Sequence, residues 1–282
     1  MTLQLLAKLL KISRPRFWTY LAGTFLLGVI YGIPSLNLLQ TSSLIFFFLW
    51  FTFPANLFVY GINDIFDYDT DKNNPKKHTK EALVIKEEHA LLKSWISIAI
   101  TVGIILTSLF YSPVLGSLFL IFLFLSAFYS ATPIRAKAIP LIDTLFNSLY
   151  VVPGIIGYYL STHMLPPAFI VAAGVLWCMG MHAYSAIPDI QVDKNASLNT
   201  IATFLGKNGT LIFCTLCYIG SAYIVSLFSS WIGLLLGIYP VLMVLNFFFS
   251  EKSLERFYWL FPWVNTAVGA ICVFMRMYEL VL

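Results

Sequence analysis

The stretch Asn63-Asp64-Ile65-Phe66-Asp67-Tyr68-Asp69-Thr70-Asp71 packs four carboxylates and an amide into nine residues, directly after an apolar run. If that run continues as a helix, Asn63, Asp67 and Asp71 recur every four residues and share one face. Asp64 then lies beside that face and Asp69 points elsewhere. Like charges one turn apart repel, so the stripe calls for cations. Oxygen-only ligands beside a phosphate suit Mg²⁺, a hard ion bound through one or two carboxylates plus substrate phosphates. A merely solvated acidic loop would more often be mixed with Ser, Gly and Lys and would not keep the four-residue spacing.

Working outward, the run before the motif is one of many. The 282 residues are 59% hydrophobic and 11% charged, with a mean hydropathy of +0.84. Soluble domains are about 45–50% apolar and about 25% charged, so this chain lacks the polar residues to coat a soluble core. Apolar runs predict nine membrane spans, near 16–33, 43–62, 93–111, 114–131, 141–160, 167–187, 209–228, 231–249 and 259–280. Lys8, Lys11, Arg14 and Arg16 precede the first run, but no small-residue cleavage site follows, which predicts a retained span. Residues 1–12, with Leu3, Leu5, Leu6, Leu9 and Leu10 beside Lys8 and Lys11, read as an amphipathic lead-in lying in the interface.

Charge orients the bundle. Of 17 Lys and Arg residues, 16 fall in the N-terminal tail or within or at the edge of alternate loops, 63–92, 132–140, 188–208 and 250–258. The intervening loops carry none, and Arg276 sits late in the last span. The positive-inside rule then predicts a cytoplasmic N-terminus and cytoplasmic Asp-rich loops in the cell's inner (plasma) membrane. The net charge of +4 is thus a topology signal and carries no sign of nucleic-acid binding. Cys178, Cys214, Cys217 and Cys272 all fall within spans and read as packing residues.

A second cluster, Pro188-Asp189-Ile190-Gln191-Val192-Asp193-Lys194, follows the sixth predicted span. Asp189 and Asp193 are again one helical turn apart on the side predicted to be cytoplasmic. Two such clusters in equivalent positions suggest two four-helix halves, spans 1–4 and 5–8, plus a ninth helix, in a single membrane-embedded domain over 1–282. Opposed carboxylate pairs with Mg²⁺ between them make a diphosphate clamp, suited to ionising an allylic diphosphate. The allylic cation needs a dry, aromatic-lined chamber.

At these residues the chain resembles the UbiA superfamily of intramembrane prenyltransferases. Asn63, Asp64, Asp67 and Asp71 match the family's NDxxDxxxD motif, and Asp189 and Asp193 match its DxxxD. Tyr129, Ser130, Pro133, Arg135 and Lys137 match a YSxxPxRxK signature, and Arg14-Pro15 resembles the family's N-terminal pattern. The resemblance implies an all-α bundle of nine transmembrane helices around a central cavity that opens sideways to lipid, with a cytoplasmic cap formed by the Asp-rich loops. It implies Mg²⁺ ligands at Asn63, Asp67, Asp71, Asp189 and Asp193. Arg135 and Lys137 would help bind the diphosphate, while Lys72 and Lys194 could reach a phosphate or face water. One departure is Tyr68, where some aromatic-acceptor members carry Arg.

The strings Asn63-to-Lys77 (NDIFDYDTDKNNPKK) and Gly180-to-Asp193 (GMHAYSAIPDIQVD) are most similar to the lycopene elongase branch. The segment Leu141-to-Gly157, with Asp143 and Asn147, points the same way. That branch implies dimethylallyl diphosphate as donor and a linear carotenoid entering from the bilayer as acceptor. Asp143, at the start of the fifth span, is either a proton acceptor or cation stabiliser, or a carboxylate satisfied by helix N-terminal amides. His182, two turns before Asp189, either faces the cavity or makes a helix–helix hydrogen bond. A quinone-precursor prenyltransferase would use the same clamp, with Arg135 or Arg14 then available to an acceptor carboxylate. A secondary transporter would instead place its acids near the bilayer midplane.

Overall fold

Backbone polar groups in lipid must be satisfied within their own segment, so long apolar runs fold as helices. The structure is a computed structural model and describes residues 3–72, 77 and 81–282, with backbone alone for 251 and 252. Among the described residues there is no strand. Six helices are long and apolar enough to cross a bilayer: Ser42–Phe66, Lys86–Leu109, Pro113–Ser130, Ala168–Asn195, Ile201–Ser226 and Ser253–Val281. The protein is a multi-pass integral membrane protein.

The other three expected spans come as shorter helices in series. The first runs through a 3₁₀ turn (Pro15–Phe17), a π turn (Thr19–Gly23) and a helix over Thr24–Gly32. The fifth is divided into Ile142–Phe146, a 3₁₀ turn over Asn147–Tyr150 and Val152–Thr162. The eighth is divided into Ser230–Leu236 and Ile238–Asn246. Pro153 and Pro240 lack the N–H that would continue the ladder, which accounts for the last two breaks. Pro54 likewise divides the second span. There the buried Asn56 side chain donates to the carbonyls of Phe51, at 2.9 Å, and Thr52, at 2.5 Å, satisfying backbone at the break.

Contacts divide the chain into two units, and the division lies inside the fifth segment rather than between the halves expected from the motifs. Unit 1 comprises Met1–Arg135, Val152–Met164 and Met277–Leu282, and unit 2 comprises Ala136–Val151 and Leu165–Arg276. Helix Val152–Thr162 joins unit 1 because glycines let it approach Thr24–Gly32 closely. A Cβ at Gly28 would overlap the carbonyl oxygen of Gly154, and one at Gly157 would overlap that of Phe25. Trp50, Phe51, Phe58, Phe119 and Phe122 interlock beside this contact, with the Trp50 indole donating to Ala99 O at 2.9 Å. In lipid such packing stabilises through dispersion and shape rather than through expelled water.

Unit 2 has its own core. Tyr218 stacks on Tyr239 at 4.9 Å and Trp177 meets Tyr239 edge-on at 5.7 Å. Tyr184 donates to Asn246 Oδ1 at 3.0 Å, giving two buried polar groups each other as partners. The four cysteines are free and buried, as packing residues should be.

Candidate active site

In unit 1 the first motif straddles a helix end. Helix Pro54–Phe66 carries Asn63 and Asp64, Asp67 forms the junction, and the short helix Tyr68–Asp71 carries the rest. Asn63 Nδ2 donates to Asp67 Oδ2 at 2.6 Å and to Ser130 Oγ at 2.9 Å. An ionised carboxylate can only accept, so the amide nitrogen must face Asp67. Both amide hydrogens are thereby used, and Asn63 Oδ1 is the group left to ligate a cation. Asp67 is buried, Asp71 is half-buried, and Asp69 points into solvent, paired with Lys72 at 3.2 Å.

Asp64 faces the other way, into a cluster of cations. Its Oδ1 accepts from Arg14 at 3.0 Å and from Lys77 at 2.5 Å. Arg14 also reaches Glu81 at 3.2 Å, Arg16 reaches Glu81 at 3.0 Å, and Lys77 reaches Asp71 at 2.8 Å. The Arg14 guanidinium lies over the Tyr60 ring, 4.7 Å from its centroid. Burial works against the Arg14 charge, but Glu81 and Asp64 outweigh it and leave the guanidinium above its ordinary pKa. Burial pushes the Asp71 carboxyl up to about 6, with the Lys77 ammonium pulling against it. Lys8 on helix Leu3–Ile12 pairs with Glu88, tying the amphipathic lead-in to the end of the same loop.

Arg14 and Arg135 share an unusual backbone, φ 49° and 46°, in the left-handed region that costs an L-residue about 1–2 kcal/mol. Strain of that kind gathers at functional sites. Arg135 is half-buried, and its Nε is a buried donor with no hydrogen-bond partner among the described residues. Tyr129 is half-buried near the end of helix Pro113–Ser130. Tyr68 stands under the Lys86 ammonium at 5.2 Å and meets the His89 ring at 5.9 Å.

In unit 2, helix Ala168–Ala186 leads through a 3₁₀ turn over Ile187–Asp189 into helix Ile190–Asn195. Asp189 and Asp193 are both half-buried and Lys194 is exposed. Lys194 borders an open groove with Pro140, Ser197, Leu198, Asn199, Thr203 and Phe204. Lys137 is 7% exposed, in the 3₁₀ turn Ala136–Ala138. Asp143 is fully buried, and both of its oxygens accept backbone N–H groups: Oδ1 from Thr144 at 2.8 Å, Oδ2 from Ile201 at 2.7 Å. His182 Nε2 stands 3.9 Å from Asp143 Oδ2, and Asn147 Nδ2 donates to the Asp143 carbonyl at 2.8 Å. Asp143 thus fastens the start of helix Ile201–Ser226, a different helix from the one it begins.

The donor set of the first motif fits a hard divalent cation. It offers oxygen atoms only, and the Lys77 ammonium already lies between Asp64 and Asp71 as a stand-in cation. Among the described residues no three His, Cys, Asp or Glu side chains gather closely enough to hold a metal alone. An ion completed by an amide oxygen, water and substrate phosphates needs no such cage. Sequence reasoning missed Lys77, Glu81 and Arg16 as parts of this site, and gave Ser130 only as a member of the YSxxPxRxK signature. Glu81, an acid in a strongly basic stretch, was the available signal.

The sequence pattern of the UbiA prenyltransferase family matches residues 16–261. The chain belongs to the UbiA prenyltransferase family. This prenyltransferase is 40% identical over 272 residues to the lycopene elongase/hydratase of Haloarcula japonica, spanning 95% of this chain and 90% of that one. Its fold is that of the UbiA homolog from Archaeoglobus fulgidus, solved bound to GPP and Mg²⁺. That likeness has a TM-score of 0.75 and 19% identity, over 98% of this chain and 100% of the homolog. The same homolog bound to DMAPP and Mg²⁺ superposes with a TM-score of 0.74 at 19% identity, over 96% and 99% of the two chains.

Proposed function

We propose that this UbiA-family prenyltransferase moves a dimethylallyl group from its diphosphate to a linear carotenoid such as lycopene, with Mg²⁺ as cofactor. The observation carrying this reading is the 40% identity, over nearly the whole chain, to a lycopene elongase/hydratase. The solved homolog bound to DMAPP and Mg²⁺ supports the donor and the metal. The three interrupted apolar segments would cross the bilayer with the six long helices, giving nine crossings around a central cavity. The N-terminus and both Asp-rich loops would lie on the cytoplasmic side, where they cap the cavity, with the acceptor entering from lipid.

Asn63 Oδ1, Asp67, Asp71, Asp189 and Asp193 would hold the metal. Bound Mg²⁺ neutralises the charge that grows on the departing diphosphate. Arg135, Lys137, Lys72 and Lys194 would meet the diphosphate oxygens, the unpartnered Arg135 Nε supplying one directed donor. The allylic C–O bond breaks, its electron pair leaving with the diphosphate. The acceptor's terminal alkene then attacks the allylic carbon, and the resulting tertiary cation loses a proton or takes up water. Arg14 is committed to Asp64 and Glu81, so it would position the motif rather than touch substrate. Asp143 would hold the start of helix Ile201–Ser226 and stabilise positive charge through His182 or directly. Tyr129 and Asn147 would line the approach to the diphosphate.

Expression in a bacterium that accumulates lycopene tests the reading. Carotenoids heavier by one or two five-carbon units are the expected products. Unchanged lycopene, beside prenylated quinone precursors, would instead favour an aromatic acceptor.

A further inference from the structure

We propose that Lys77 is the internal cation of the first aspartate motif, holding Asp71 against Asp64 until a divalent metal displaces it, and so setting how tightly that motif takes up metal. The inference rests on the proposed assignment of Asp67 and Asp71 as metal ligands.

Three cations and three carboxylates interlock here. Lys77 Nζ stands 2.5 Å from Asp64 Oδ1, 2.8 Å from Asp71 Oδ2 and 3.7 Å from Glu81 Oε2, and the residue is only 5% exposed. Asp64 and Glu81 are neutralised without Lys77, because Arg14 contacts both and Arg16 contacts Glu81. Asp71 is different: its hydrogen-bonded cation is Lys77.

Metal on Asp71 and ammonium on Asp71 exclude each other. Lys77 already engages Asp71 Oδ2, and two cations sharing one carboxylate in a half-buried site repel strongly. Lys77 therefore keeps the carboxylates of the motif from repelling one another before loading, at the cost of competing with the metal. A lysine suits this role, since its ammonium is a point charge on a flexible stem, whereas a guanidinium locked in two-pronged pairing would not let go so readily. Asp64 gains a role from the same geometry. It anchors Lys77 and Arg14, which accounts for a motif carboxylate that points away from the Asn63 face.

The test is binding of Mn²⁺ alone, without diphosphate, to the purified full-length protein, read by electron paramagnetic resonance of the free ion. Lys77→Met should bind Mn²⁺ at least about tenfold tighter than the parent, since one competing charge is gone. Lys77→Arg should not tighten binding. Equal or weaker binding by Lys77→Met overturns the proposal. A second measurement needs no variant: acylation of Lys77 in the parent protein, followed by mass spectrometry. Saturating Mn²⁺ should raise Lys77 labelling several-fold, and labelling that ignores Mn²⁺ overturns the proposal. Mn²⁺ binding that survives Asp67→Ala and Asp71→Ala unchanged would overturn the ligand assignment itself, and this inference with it. That outcome is distinct from a failure of Lys77 alone.

Discussion

Ser130 Oγ accepts a hydrogen from Asn63 Nδ2 at 2.9 Å, across 67 residues of sequence, and so fixes which face the Asn63 carbonyl oxygen presents. The serine ends the helix that precedes the Arg135 turn, and it is 1% exposed. Partners that orient a ligand commonly matter about 10–100-fold to metal affinity. Ser130→Ala should therefore raise the Mg²⁺ concentration for half-maximal turnover by about tenfold while leaving the rate at saturating Mg²⁺ nearly intact. A magnesium titration of prenyl transfer separates the two quantities. An unchanged half-saturation point would count against the orienting role.

Asp71 makes metal uptake sensitive to acid. Burial holds its carboxyl near 6 in the metal-free protein, well above an exposed aspartate, although Lys77 pulls it down. Only the ionised form binds a divalent cation, so protons and metal compete. Above that value the competition vanishes; below it, affinity should fall by about tenfold for each further pH unit. Mn²⁺ titrations between pH 5 and 8 check the sign: binding must weaken as pH falls, with the break near 6. Affinity that is flat through this range would mean Asp71 is not a ligand.

Asp143 is placed to hold structure. Its two oxygens satisfy the N–H groups of Thr144 and Ile201, and an asparagine in its place could satisfy only one of them while turning its amide donor toward the other. Leaving a buried N–H unpaired costs about 1–3 kcal/mol. Asp143→Asn should therefore lower the thermal unfolding midpoint of the detergent-purified protein, in step with any loss of turnover. Turnover lost with an unchanged midpoint would count against the structural role and leave charge stabilisation as the whole contribution of this carboxylate.

What could be read from sequence was whatever is local. The Asn63, Asp67 and Asp71 spacing and the long apolar runs depend on neighbours a turn or two away. The divisions within 141–160 and 231–249 escaped because apolar composition continues unbroken through Pro153 and Pro240, even where the hydrogen-bond ladder does not. The pairings that organise the candidate site are long-range. Arg14 meets Asp64 across 50 residues, and Ile201 meets Asp143 across 58. Nothing in either segment alone marks its partner. Asp64 shows this most plainly: the spacing places it only beside the Asn63 face, and it is the distant Arg14 together with Lys77 that makes it an anchor.

The most direct test of the proposed activity is prenyl transfer itself. Membranes containing the protein are incubated with lycopene and isotope-labelled dimethylallyl diphosphate, with Mg²⁺ or with EDTA, beside Asp67→Ala and Asp189→Ala variants that insert normally. Label should enter carotenoid mass only with Mg²⁺ and only with the parent aspartates. Labelled carotenoid formed equally in EDTA, or by both variants, would contradict the metal-clamp account.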